Sequence, residues 1–141
     1  MFLGEFEHSL DAKGRVILPA RFREQLEGGA VMASGLDGCL MVYPALEFNR
    51  VANKLTDLRQ GGPRQRQAAR TFFAGATDFV PDRQGRVAIP PKLRAHAGLE
   101  REVVVAGGFD HLEIWDAQRY RERDDEGAAS FQDGNDLDDF M

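Results

Sequence analysis

Two segments of the chain place an arginine directly after a turn that carries its own carboxylate. Residues 11–23 read DAKGRVILPARFR and residues 82–94 read DRQGRVAIPPKLR. Asp-x-x-Gly has turn chemistry: the Asp side chain accepts backbone N–H bonds, and glycine supplies the positive φ that closes a hairpin with a bulge. Asp11 and Gly14 form the first turn and Asp82 and Gly85 the second, with Arg15 and Arg86 following them. For one copy alone a purely structural account suffices, in which the Asp caps the turn and the Arg pairs with the Asp. A hairpin does not need arginine there, yet both copies carry it. Each loop also adds a second cation, Lys13 in one and Arg83 in the other. Two cations projected from a rigid turn suit phosphate contact and readout at a groove edge. Arginine adds a planar fork that can pair with guanine at two points, which a lysine cannot do.

Other chemistries find little support. His8, His96 and His111 are scattered and Cys39 is alone, so no metal-ligand spacing arises. No nucleophile, base and orienting group fall together, and no glycine-rich phosphate loop is present. An enzyme, a metal site and a cofactor are therefore not expected. Tyr43 and Trp115 occupy equivalent strand ends and read as core or interface anchors rather than base-stacking platforms.

The turns must be held by something, and the repeat around them shows what. At a constant offset of 71, six of thirteen positions are identical: Asp11/Asp82, Gly14/Gly85, Arg15/Arg86, Val16/Val87, Pro19/Pro90 and Arg23/Arg94. Average composition would give roughly one or fewer, so the segment is a duplication. Each copy reads as strand, turn, strand, short helix, strand, turn, strand. Arg15–Leu18 and Arg86–Ile89 alternate like half-buried strands, Pro19 and Pro90 stop them and suit a helix start, and Gly98 is placed to end the second helix. The copies span residues 5–47 and 76–119. Between them, 48–75 reads as a helical linker. Phe48, Val51, Ala52, Leu55 and Leu58 form an amphipathic stripe, Gly61-Gly62-Pro63 breaks it, and a second helix from Pro63 to about Phe73 exposes Arg64, Arg66 and Arg70. Those arginines read first as an ordinary solvated face.

Charge is segregated. The chain has net charge −5, but residues 122–141 hold eight acidic side chains and one basic one and so carry −7, which leaves +2 for residues 1–121. A whole-chain isoelectric point says little about binding under that distribution. Residues 120–141 lose periodicity and read as an acidic, disordered tail. A single cysteine, no basic-then-apolar leader and no membrane-length apolar run point to the cytoplasm.

The opening MFLGEFEHSLDAKGR (1–15), followed by LPARFR (18–23), resembles the MraZ family. The paired Asp11/Arg15 and Asp82/Arg86 match that family's Asp-x-x-x-Arg signature, and LEIW (112–115) fits as well. The resemblance covers roughly residues 1–120. It implies an α+β, mainly β fold, in which two AbrB-like swapped-hairpin modules form a pseudo-twofold β-barrel. It also implies ring-like homo-oligomers and a transcriptional regulator that is nucleoid-associated. Such a regulator binds double-stranded DNA carrying short direct repeats, upstream of a cell-division and cell-wall gene cluster that includes its own gene. DNA-reading roles then fall on Lys13 and Arg15 in the first copy and on Arg86 with Arg83 in the second. The first copy is the closer match, because neutral Gln84 stands where Lys13 stands. An alternative of another class is a protein-interaction module of antitoxin type, with DNA binding secondary. The duplication argues against it and the acidic tail for it.

Overall fold

The two repeated segments fold alike in the computed structural model, which describes residues 1–134. In chain order the elements are β1 (Glu5–Ser9), β2 (Arg15–Ile17), α1 (Ala20–Gln25), β3 (Ala30–Ser34), β4 (Leu40–Pro44), α2 (Ala45–Thr56), α3 (Pro63–Gly75), β5 (Thr77–Phe79), β6 (Arg86–Ala88), α4 (Pro91–Ala97), β7 (Glu102–Gly107), β8 (Leu112–Asp116) and α5 (Ala117–Asp133). Pro19 and Pro90 sit at the starts of α1 and α4, and Gly98 ends α4 in the left-handed conformation at φ 63°. The Gly61-Gly62-Pro63 break separates α2 from α3, and the Gly62 amide donates to Gln65 Oε1 at 3.1 Å.

The strands of the two copies interleave. One sheet has the order β1-β7-β8-β4-β3-β5, and β2 pairs only with β6. Exchanging equivalent strands of the two copies turns the sheet order into its own reverse, so the connectivity has a pseudo-twofold. Two expectations need correction here. The strands flanking each turn do not ladder with one another: β1 runs antiparallel to β7, β5 to β3, and β2 to β6. Each turn therefore feeds two different partners in the other copy. A two-stranded hairpin in isolation is marginal, and pairing across copies lets one core serve both. The six-stranded sheet also ends on β1 and β5 and closes no barrel among the described residues.

The core lies on one face of that sheet. Met32, Val42, Val103, Val105 and Ile114 point into it from the sheet, and all are 0% exposed. Val16 and Val87 close it from the β2–β6 ribbon, Phe22 and Leu93 from the short helices, and Leu26 from just past the end of α1. Alternate residues face the other way, as the strand period of two requires. Behind β7, Val104 and Ala106 are covered by Ala117 and Tyr120 of α5. Behind β3 and β4 lie α2 and α3.

The acidic tail is the third correction. Residues 117–133 form a helix rather than a disordered segment. Composition obscured its start. The Asp116 side chain accepts from the Arg119 amide at 3.0 Å, an N-cap. Tyr120 meets Trp115 edge-on with centroids 6.0 Å apart, and Gly134 closes the helix at φ 71°. Arg119 Nη1 also donates to the Gly38 carbonyl at 3.0 Å, which ties α5 to the first copy. From Arg121 to Asp133 every residue is exposed, so the charged part of the helix is a solvated face. Asp136, Asp138 and Asp139 lie outside the described residues.

The linker stripe is only partly satisfied. Phe48 stacks on Phe72 with centroids 6.1 Å apart, yet α2 has no buried residue. Arg64, Arg66 and Arg70 are exposed, as expected.

Candidate nucleic-acid interface

Each turn is built by its own aspartate. Asp11 Oδ1 accepts the Lys13 and Arg15 amides, both at 2.9 Å, and Oδ2 accepts Arg15 Nε at 2.7 Å. Asp82 repeats this with the Gln84 amide at 2.9 Å, the Arg86 amide at 2.8 Å and Arg86 Nε at 2.7 Å. Gly14 and Gly85 sit at φ 73° and 78°, where a side chain would be strained. The backbone N–H of the following arginine, above all, holds each carboxyl below its ordinary range, and the guanidinium adds to it.

The structural account and the functional one are therefore compatible. The aspartate engages only Nε. Among the described residues neither guanidinium makes another hydrogen bond, so the Nη1/Nη2 edge of each stays open for a bidentate partner. Arg15 and Arg86 are 28% and 32% exposed.

The ribbon decides where those edges point. Its register is Arg15↔Ala88, Val16↔Val87 and Ile17↔Arg86. Val16 and Val87 face the core, so Arg15, Ile17, Arg86 and Ala88 share the outer face. Arg15 and Arg86 are diagonal neighbours on it, roughly 7–8 Å apart. Two residues separated by 71 positions in sequence thus become one surface. Lys13 and Arg83 are both exposed in their turns. Gln84, not Arg83, takes the place of Lys13 in the hydrogen-bond pattern, which keeps the two turns chemically unequal. Sequence reasoning missed Ile17. It is 46% exposed between the two arginines, and its outward direction follows only once the register is known.

No group of three or more His, Cys, Asp or Glu is placed to hold a metal among the described residues. No helix among them is long and apolar enough to cross a membrane. Tyr43 and Trp115 are each 6% exposed and belong to the back face of the sheet.

Beside them lies a polar cluster that makes a separate prediction. His111 Nδ1 lies 2.7 Å from Asp110 Oδ1 and Nε2 lies 3.3 Å from Glu113 Oε2, while its ring stacks on Tyr43. Trp115 Nε1 donates to Glu113 Oε1 at 2.9 Å. The Glu113 hydrogen bond chiefly raises the His111 pKa, against desolvation, and Asp110 adds to it. The same bond lowers that of Glu113. The histidine contribution is complete below its unfolded value of about 6.5 and is lost as pH rises through the folded value. The glutamate contribution is complete above about 4.3 and is lost as pH falls through its depressed value. Stability owed to this pair should therefore be greatest between those limits. Urea midpoints measured from pH 4 to 8 should show a decline that sets in above about 6.5 and that His111→Gln removes.

Fold and site together define a duplicated α+β protein, mainly sheet, that carries two aspartate-clamped arginines on one exposed ribbon. The family profile of the MraZ proteins, whose description includes the term antitoxin-like, matches it twice, over residues 1–71 and 72–138. The chain belongs to the MraZ family. The second match runs well past residue 120, so the C-terminal helix lies within the family pattern and not outside it. The transcriptional regulator MraZ of Parafrankia sp. (strain EAN1pec) is 52% identical over 120 residues, 85% of this chain and 84% of that one. The protein of the same name from Pediococcus pentosaceus is 47% identical over 133 residues, 94% of this chain and 93% of its own. That of Arthrobacter sp. (strain FB24) is 46% identical over 136 residues, 96% of each.

Proposed function

We propose that this chain is a sequence-specific DNA-binding transcriptional regulator. The observation that carries the reading is the open Nη edge of Arg15 and Arg86 on one face of a two-stranded ribbon. A major groove about 12 Å wide admits a two-stranded β-ribbon, and arginine is the residue that pairs bidentately with guanine O6 and N7. Each arginine is neutralised in part by its aspartate, so it suits base readout better than bulk attraction. Lys13 and Arg83, beside them and unpaired by any aspartate of the turn, suit the phosphates. The relatives' names support regulation of transcription.

In this reading the protein acts in the cytoplasm at the nucleoid. Its site is a set of short direct repeats in the promoter of a cell-division and cell-wall gene cluster that includes its own gene, as the resemblance implies. It acts as a ring-like homo-oligomer. Supporting self-association, Leu36 and Leu46 are 83% and 80% exposed, and the stripe of α2 is only half-buried within one chain. One ribbon grips weakly, and several on one assembly raise the effective concentration at repeated sites.

The test is a binding series against a duplex selected from a randomised pool, carrying one or several direct copies of the recovered site. Several copies should bind at least about 100-fold more tightly than one. Affinity should fall with log salt at a slope near −0.9 for each phosphate neutralised. Equal affinity for one copy and several, or no salt dependence, would sink the reading.

A further inference from the structure

The last identity of the repeat, Arg23/Arg94, has no part in the turns of its own copy. Arg94 leaves α4 and lies over Gly14, in the first copy's turn. Arg23 leaves α1 and lies over Gly85, in the second copy's turn. A Cβ built on either glycine would stand 2.6 Å from the Cζ of the opposing arginine. That contact explains why both glycines are buried although their neighbours in the turns, Lys13 and Gln84, are exposed. The backbone is tied in the same crossed sense. The Leu18 amide donates to the Gly85 carbonyl at 2.9 Å and the Ile89 amide to the Gly14 carbonyl at 3.0 Å. Arg23 Nε in turn donates to the Leu18 carbonyl at 2.8 Å, while Arg94 makes no such bond among the described residues.

We propose that Arg23 and Arg94 are positioning residues, each bracing the arginine turn of the opposite copy by seating its guanidinium against the turn glycine. The proposal rests on the reading of those turns as the DNA readers. The aspartate and these backbone bonds fix the path of the turn but leave the outer side of its glycine uncovered. A planar cation wedged on the glycine adds a side-chain contact to those ties and holds Arg15 or Arg86 at a fixed height above the ribbon. Side chains that must meet base edges gain from such bracing, because small misplacements at a recognition site are costly. The arrangement also couples the copies, since neither turn is complete without the helix of the other.

The test is crossed by design. Arg94→Met and Arg23→Met keep an unbranched stem and remove the guanidinium. Hydrogen–deuterium exchange of the free protein, read on peptides covering residues 11–15 and 82–86, needs no DNA. Arg94→Met should speed exchange at 11–15 several-fold and leave 82–86 unchanged, and Arg23→Met should do the reverse. Faster exchange in the variant's own copy, or in neither turn, would overturn the proposal. On the selected duplex, Arg94→Met should weaken binding about tenfold with an unchanged salt slope. A slope reduced by about one would mean that Arg94 touches a phosphate itself, which also overturns it. Should Arg94→Met fail to fold, Arg94→Lys keeps stem and charge without the planar group and carries the same expectation. Crossed exchange in a protein whose wild type binds no selected duplex would sustain the brace and remove the DNA reading.

Discussion

Arg15→Ala should lower affinity for the selected duplex by at least about 100-fold, roughly 2.7 kcal/mol, while leaving the protein folded. A bidentate arginine–guanine pair is worth about 1–3 kcal/mol of discrimination, and in the proposed homo-oligomer loss of one in every protomer multiplies through avidity. The fold should survive because the turn does not depend on the guanidinium. Asp11 keeps the Lys13 and Arg15 amides, and Gly14 still donates to the Asp11 carbonyl at 2.9 Å. The pair lost, Arg15–Asp11, is an exposed ion pair, and such pairs contribute little to stability because solvent screens them. Titration of labelled duplex beside a thermal melt separates the two effects. An unfolded variant would make Arg15 structural, and normal binding would place the reader elsewhere. Arg86→Ala should act in the same direction with a smaller loss, since neutral Gln84 stands where Lys13 stands in the first turn and the second turn's companion cation, Arg83, sits one residue earlier.

Phe22→Ala should cost about 3–5 kcal/mol of stability, the range for emptying a buried aromatic site, and lower the melting temperature by roughly 10–20 °C. Phe22 is 1% exposed. Its ring lies 5.6 Å from that of Phe2 and meets Phe6 edge-on at 5.3 Å. Phe6 belongs to β1, which ladders with β7 of the other copy, and Phe2 bridges to Phe109. The cavity would therefore open where the two copies are joined, not inside one of them. Emptied, it also slackens α1, the helix that carries Arg23 to the second turn. Chemical denaturation followed by fluorescence and circular dichroism measures the loss. A shift of only one or two degrees would show that the interleaved core collapses to fill the space.

Much of this molecule was legible residue by residue. The turns were, because Asp-x-x-Gly states its own hydrogen bonding and its own φ. The short helices were, because proline and glycine punctuate them. The arginine after each turn was, because its duplication at one offset has no local cause. The helix in the tail is not legible from composition, because charge over its whole length hides a helix set at its start by the Asp116 cap and the packing of Ala117 and Tyr120.

By itself, then, the sequence determined the elements, the repeat and the residue types at the turns, all properties of neighbours along the chain. Only the tertiary structure decided which strand meets which. A period of two says that a strand has an inner face but names no partner, so β1 against β7 and β2 against β6 could not be read in advance. That choice put Arg15 and Arg86 on one face, left Ile17 between them, and laid Arg23 and Arg94 across each other's turns.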